Sequence, residues 1–114
     1  MRRVLRALFE RGGLRVAEAG SAAEALKVVD DAQDIAAVVC DVIMPGTSGL
    51  ALYEQLLGRA PALRGRVVFL SGAAHDPTVH APIEQLNVPL ISKLDDLRLV
   101  VDAVRLALLP RHSA

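Results

Sequence analysis

The sequence has little of what several common functions depend on. Its 114 residues include a lone cysteine, Cys40, which excludes an intrachain disulfide and makes a reducing cytosol the simpler setting. Net charge is missing as well, because 13 Lys and Arg balance 13 Asp and Glu. No basic run offers the electrostatic footprint that nucleic acid requires, so direct nucleic-acid binding is not expected. Long apolar runs are also lacking: Asp, Arg or Pro breaks each one well short of the ~18 to 20 residues a membrane span needs. The charged opening from Met1 to Glu10 is interrupted by Arg6 and Glu10 and is too short for a secretory signal. Membrane insertion is therefore not expected, and a cytoplasmic location is. Apart from a few polar residues after Pro110 there is no repeat, low-complexity tract or flexible linker. At 53% hydrophobic residues the chain can bury one core but has no room for two of ordinary size, which predicts a single domain over 1–114.

What is present alternates between two periods. Val4, Leu5, Leu8 and Phe9 recur at helical spacing and Gly12-Gly13 stops the helix, so the chain opens inside a helix. Leu14 to Glu18 reads as a short strand. Ser21 and Glu24 form a capping box ahead of Ala22, Ala25, Leu26 and Val29, which predicts a second helix ending near Asp31. Ile35 to Cys40 is continuously apolar and ends at Asp41, the pattern of a strand covered on both faces, and this predicts a place near the sheet's centre. Pro45 and Gly46 punctuate a loop, Ser48 is a cap, and Leu52, Tyr53, Leu56 and Leu57 continue as a helix to about Gly58.

Two more buried-strand patterns follow, Val67 to Leu70 ending at Ser71-Gly72 and Val88 to Ile91 ending at Ser92-Lys93. Between them Val79, Ile83 and Leu86 have helical spacing, but Pro82 lacks an amide hydrogen, which predicts a helix that is short, late-starting or kinked. Asp95 or Asp96 can cap the last helix, whose Leu97, Val100, Val101, Val104 and Leu108 form one stripe before Pro110. Alternating strands and helices imply right-handed crossovers and a three-layer α/β domain with a parallel sheet.

In open α/β sheets, ligands bind at the carboxyl ends of the strands. Asp41, Ser71 and Lys93 stand there: a carboxylate that can attack phosphorus, a hydroxyl that can donate to a phosphoryl oxygen and an ammonium that can neutralise charge. Taken singly, each reads better as a loop-entry Asp, a turn Ser and a solvated Lys, because strand ends are often simply polar. Cys40 reads as a small packing residue, and His75, His80 and His112 lack a spacing that gathers metal ligands on one helix face.

Together these residues resemble the receiver domains of two-component signalling. Asp41-Val42-Ile43-Met44-Pro45-Gly46-Thr47-Ser48-Gly49-Leu50 is similar to that family's phosphoacceptor loop, with a Met-Pro pair after the Asp and a Gly opening the next helix. Phe69-Leu70-Ser71-Gly72 resembles its fourth strand with the switch hydroxyl, and Pro89-Leu90-Ile91-Ser92-Lys93 its fifth strand ending in Lys. The resemblance implies a flavodoxin-like (CheY-like) sheet of order 2-1-3-4-5. It implies that Asp41 accepts phosphoryl from a histidine kinase or phosphotransfer protein, that Lys93 contacts the phosphoryl group and that Ser71 swings toward it. Asp41 and the backbone carbonyl of Ile43 would help hold Mg2+. The implied protein is a signalling module and not an enzyme with a separate substrate, for instance the terminal receiver of a hybrid histidine kinase. A downstream protein would bind the family's fourth helix, fifth strand and fifth helix.

The sequence departs from the family at named points. A complete receiver begins with a strand ending in two adjacent acidic residues, whereas Met1 already lies in the first helix. The resemblance therefore implies a chain incomplete at its N-terminus, a sheet lacking the first strand and a weakened metal site. Leu94 replaces the Pro that follows Lys in many relatives, and Leu90 stands where many carry an aromatic. The alternative reading is a degenerate pseudo-receiver that binds proteins independently of phosphorylation. A phosphatase using Asp41 as a turnover nucleophile would need an acid two residues on, where Ile43 stands.

Overall fold

The computed structural model describes residues 2–32, 34–44, 47–72 and 77–109. Met1, Pro45, Gly46, His75, Pro110 and His112, named above, lie outside the described residues. The helices are α1 (Arg2–Arg11), α2 (Ala22–Asp31), α3 (Gly49–Arg59), α4 (Pro77–Glu84) and α5 (Leu97–Ala107). The strands are β1 (Val38–Asp41), β2 (Ile43–Met44), β3 (Thr47–Ser48), β4 (Val67–Ser71) and β5 (Leu90–Ser92).

Helix ends follow the local chemistry of the sequence. Gly13, at φ 89°, ends α1 in a left-handed turn, with Leu14 N donating to Phe9 O at 3.0 Å and Gly13 N to Glu10 O. Ser21 Oγ accepts from Glu24 N at 3.2 Å to cap α2; the return bond from Glu24 goes to Gly20 N and not to the amide of Ser21. Ser48 and Asp96 cap α3 and α5 by accepting from Ala51 N and Arg98 N. Asp95 instead accepts from Ser92 N, closing the turn after β5. Helix α4 is short, as Pro82 predicts, but it starts at Pro77 and is therefore not late-starting. Proline at a helix start costs nothing because the first amides have no intrahelical acceptor. Asn87, at φ 58°, turns the chain into β5.

The parallel sheet runs β1-β4-β5, with β4 in the middle and all five of its residues buried. Alternation along β4 divides the core. Val67 and Phe69 join Val29, Leu52, Leu56 and Ile83 under α2, α3 and α4, whereas Val68 and Leu70 join Leu5, Phe9, Val100 and Val104 under α1 and α5. The rings of Phe69 and Tyr53 meet edge to face at 5.9 Å. Each of the larger buried side chains contributes about 1.5 to 3 kcal/mol to folding.

Three expectations are corrected. Leu14 to Glu18 takes no regular secondary structure and pairs with no strand; beyond Leu14 N, it is tethered by ion pairs of Arg15 with Asp34 and Arg6 with Glu18. A β-propensity pattern needs a partner to become a ladder, and among the described residues none lies beside it. For the same reason β1 is an edge of the described sheet and not its centre, and it begins at Val38. Val4 faces solvent at 52% exposure, leaving Leu5 and Phe9 as the anchors of α1. One element was not foreseen: β2 and β3 form a small antiparallel ladder where only a loop is expected.

Candidate functional site

The parallel strands deliver their carboxyl ends to one edge of the sheet. Asp41 ends β1, Ser71 ends β4, and Lys93 follows the last residue of β5. Cross-strand pairing sets their heights, since Asp41 lies opposite Leu70, and Ser71 opposite Ser92. Val42 N donates to Leu70 O at 2.9 Å, and Lys93 N to Ser71 O at 3.0 Å, so both functional loops leave the sheet already fixed to β4.

Asp41 and Lys93 sit on strands about 10 Å apart, on either side of β4. The two side chains reach toward each other across β4, and Lys93 Nζ lies 3.2 Å from Asp41 Oδ2. The two side chains are 38% and 42% exposed, which leaves the carboxylate open to a donor molecule. At that exposure an ion pair contributes only about 0 to 1 kcal/mol to stability, so its place is not explained by folding. Ser71, one strand over, is 3% exposed and its polar atoms have partners.

The loop after Lys93 is held in a way that suits Leu94 better than proline. Leu94 N donates to Ser92 Oγ at 3.1 Å and Asp95 N to Ser92 O at 3.0 Å, and proline at 94 would remove the first of these donors. The Leu94 side chain itself is 90% exposed.

Gly49 sets the other side of the site. Its amide donates to Val42 O at 2.6 Å, bringing the start of α3 against the backbone of the β1 exit. A Cβ there would collide with Asp41 O and lie 2.9 Å from Val42 Cα. The sequence marks Gly49 as a helix opener, but the close approach is visible only in three dimensions.

Cys40 is buried, and its thiol donates to Asp41 O at 3.2 Å. Burial, reinforced by the charge of Asp41, pushes the thiol up to about 12 from an ordinary 9.0. The folded state therefore keeps its proton where the unfolded state loses it. This contribution to stability is full below pH 9 and is lost as pH rises toward 12. Cys40 is expected to resist a thiol reagent such as dithionitrobenzoate at pH 8 in the native protein and to react promptly in urea; prompt native labelling would contradict its burial. His80 lies in α4, away from the β1 exit in sequence, and supplies no motif of its own.

Two oxygen donors offer themselves to a divalent cation, the Asp41 carboxylate and the Ile43 carbonyl. Because Val42 O accepts from Gly49, antiparallel alternation turns the Ile43 carbonyl away from β3 and leaves it free of the ladder. Magnesium demands octahedral oxygen coordination, and no cluster of three His, Cys, Asp or Glu occurs among the described residues. Asp41 is moreover already engaged by Lys93. These donors fall short of a resident magnesium site.

The model of the response regulator receiver domain matches residues 1–105. The chain belongs to that family. Solved structures agree on the fold. A response regulator from Burkholderia pseudomallei, solved with a phosphorylated aspartic acid, a calcium ion and citrate, superposes with a TM-score of 0.75 at 23% identity and covers 90% of this chain. This receiver spans 59% of that protein's length. A sensor protein from Polaromonas sp. JS666 gives 0.77 at 27% identity over 93% of this chain and 85% of its own. A receiver domain protein from Clostridium thermocellum gives 0.76 at 22% identity over 93% and 83%. No curated protein matches the sequence. Among the described residues no helix of the receiver is long and apolar enough to cross a membrane.

Proposed function

We propose that this receiver takes a phosphoryl group on Asp41 from the phosphohistidine of a cytoplasmic histidine kinase or phosphotransfer protein. The observation that carries the reading is the solvent-accessible pair of Lys93 Nζ and Asp41 Oδ2, 3.2 Å apart at the carboxyl edge of the sheet. One oxygen of Asp41 forms the new O–P bond while the donor's P–N bond breaks, and the electron pair leaves with the imidazole. Phosphoryl transfer of this kind is mainly positioning and screening of negative charge. Lys93 screens the transferred oxygens, and its partner in the resting state marks where they arrive. Ser71 turns its hydroxyl toward the phosphoryl group and couples its arrival to β4. The surface of α4, β5 and α5, which exposes Leu94 and Leu99, passes the change to a downstream protein.

Incubation with labelled acetyl phosphate and magnesium is the test. The expected product is stable to acid and released by hydroxylamine, as an acyl phosphate is. Lys93→Met is expected to slow its formation about 100-fold, as loss of one charge-stabilising donor does elsewhere. The same substitution is expected to change stability by less than about 1 kcal/mol. A Lys93→Met protein phosphorylated at the parental rate would remove Lys93 from the site.

The alternative, a phosphorylation-independent binding module, is favoured by the small donor set for magnesium described above. It predicts no adduct under any of these conditions and partner binding unchanged by Asp41→Asn.

A further inference from the structure

Two acids stand ahead of α5, and one of them serves the helix. Asp96 caps it by accepting from Arg98 N. Asp95 turns back instead, and its Oδ2 accepts from Ser92 N at 3.3 Å. Lys93 N bonds inward to Ser71 O on β4, so the amide of Ser92 points to the outer edge of β5, where no strand follows among the described residues. The Asp95 carboxylate supplies that amide with an acceptor in place of a neighbouring strand.

Ser92 engages the same turn twice more. Its carbonyl accepts from Asp95 N at 3.0 Å, closing a β-turn with Lys93 and Leu94 at the corners, and its Oγ accepts from Leu94 N at 3.1 Å. The peptide planes on both sides of Lys93 Cα are therefore bonded. The plane before it is held by Lys93 N on Ser71 O and by Asp95 N on Ser92 O, and the plane after it by Leu94 N on Ser92 Oγ. Fixing both planes fixes φ and ψ of Lys93, and with them the direction in which its side chain leaves the backbone.

That direction matters because lysine carries its charge on a flexible four-carbon stem. The exposed ion pair with Asp41 contributes too little to hold the stem alone. A small error at its root grows toward Nζ, and misplacement by about 1 Å can cost on the order of 100-fold in rate. We infer that Ser92 and Asp95 are positioning residues for phosphoryl transfer, closing the turn that aims the Lys93 ammonium at Asp41. The inference rests on the phosphoacceptor reading and extends it to two residues that act only through Lys93.

Uptake from acetyl phosphate is measured in Ser92→Ala and Asp95→Ala, each alone and combined with Lys93→Met. Each alanine variant is expected to slow uptake about three- to tenfold, because losing one such bond lowers the fraction of turns that stay closed. Ser92→Thr and Asp95→Asn, which keep an oxygen acceptor, are expected to restore uptake to within about twofold of the parent. Loss of a negative charge near an incoming phosphoryl group would speed uptake, so slowing by Asp95→Ala reads position and not charge. In the Lys93→Met background neither alanine is expected to slow uptake further, since no ammonium is left to aim.

Nitrogen-15 relaxation of the lysine side chains reads the turn without any phosphorylation. The sequence has two lysines, and Nζ of Lys93 is expected to be more ordered than that of exposed Lys27 in the parent, and to lose that difference in both alanine variants. Parental uptake in both alanine variants, slowing that persists in the Lys93→Met background, or Lys93 order unchanged by both alanines would overturn the inference. Parental uptake in Lys93→Met would instead overturn the role of Lys93 on which it rests.

Discussion

Asp41→Asn is expected to lower phosphoryl uptake from acetyl phosphate to background while leaving the fold intact. The amide oxygen carries no negative charge and is a far weaker nucleophile toward phosphorus than a carboxylate. The fold is indifferent because the side chain is 42% exposed and its one ion pair, to Lys93, is of the kind that contributes about 0 to 1 kcal/mol. The residue's structural contribution is through its backbone, which pairs with β4 opposite Leu70, and asparagine keeps that pairing. Circular dichroism and urea midpoints close to those of the parent, together with lost uptake, are the expected combination. Uptake at the parental rate would place the phosphoryl group elsewhere.

Gly49→Ala is expected to destabilise the protein by about 1 to 3 kcal/mol or more, the range for overpacking a site whose neighbours cannot yield. Here the obstructing atoms are backbone, Asp41 O and Val42 Cα, and not the far end of a flexible side chain. Relief would require the start of α3 to move away from β1, lengthening the bond from Gly49 N to Val42 O and displacing Asp41 with it. Set against a total of about 5 to 15 kcal/mol, the loss is large. Gly58, near the end of α3, is the control, because a Cβ there meets nothing within 4 Å. Gly58→Ala is expected to stabilise by about 0.5 to 1 kcal/mol through helix propensity. Urea denaturation of both variants checks the pair; equal effects of the two substitutions would contradict the close approach at Gly49.

What the sequence makes legible is what is encoded locally. The four residues Val67 to Leu70 of β4 form an uninterrupted apolar run, and Ser21, Ser48 and Asp96 carry the side-chain acceptors their helices need. Asp41, Ser71 and Lys93 were readable as strand ends because each apolar run stops at a polar residue, and parallel pairing then brings those ends to one edge. Contacts set by distant partners were not readable. Leu14 to Glu18 has the pattern of a strand, yet a ladder depends on a neighbour that this stretch's own residues do not specify. The same holds for β1, whose two-sided apolar pattern suits a central strand although its second neighbour is not among the described residues. Leu94 looked like the loss of a proline, but with Ser92 it gains an amide hydrogen bond that proline cannot make. Gly49 reads in the sequence as the opener of a helix, whereas its lack of a Cβ matters because another backbone passes there.

The central claim is that the carboxylate at position 41 is the atom group that receives phosphorus. Borohydride reduction of the acetyl phosphate adduct, followed by peptide mass spectrometry, reads this directly, since it converts an aspartyl phosphate to homoserine. The expected result is homoserine at position 41 alone, absent when acetyl phosphate is omitted. Homoserine at another aspartate, or phosphoryl retained on a serine or histidine with position 41 unmodified, would contradict the account.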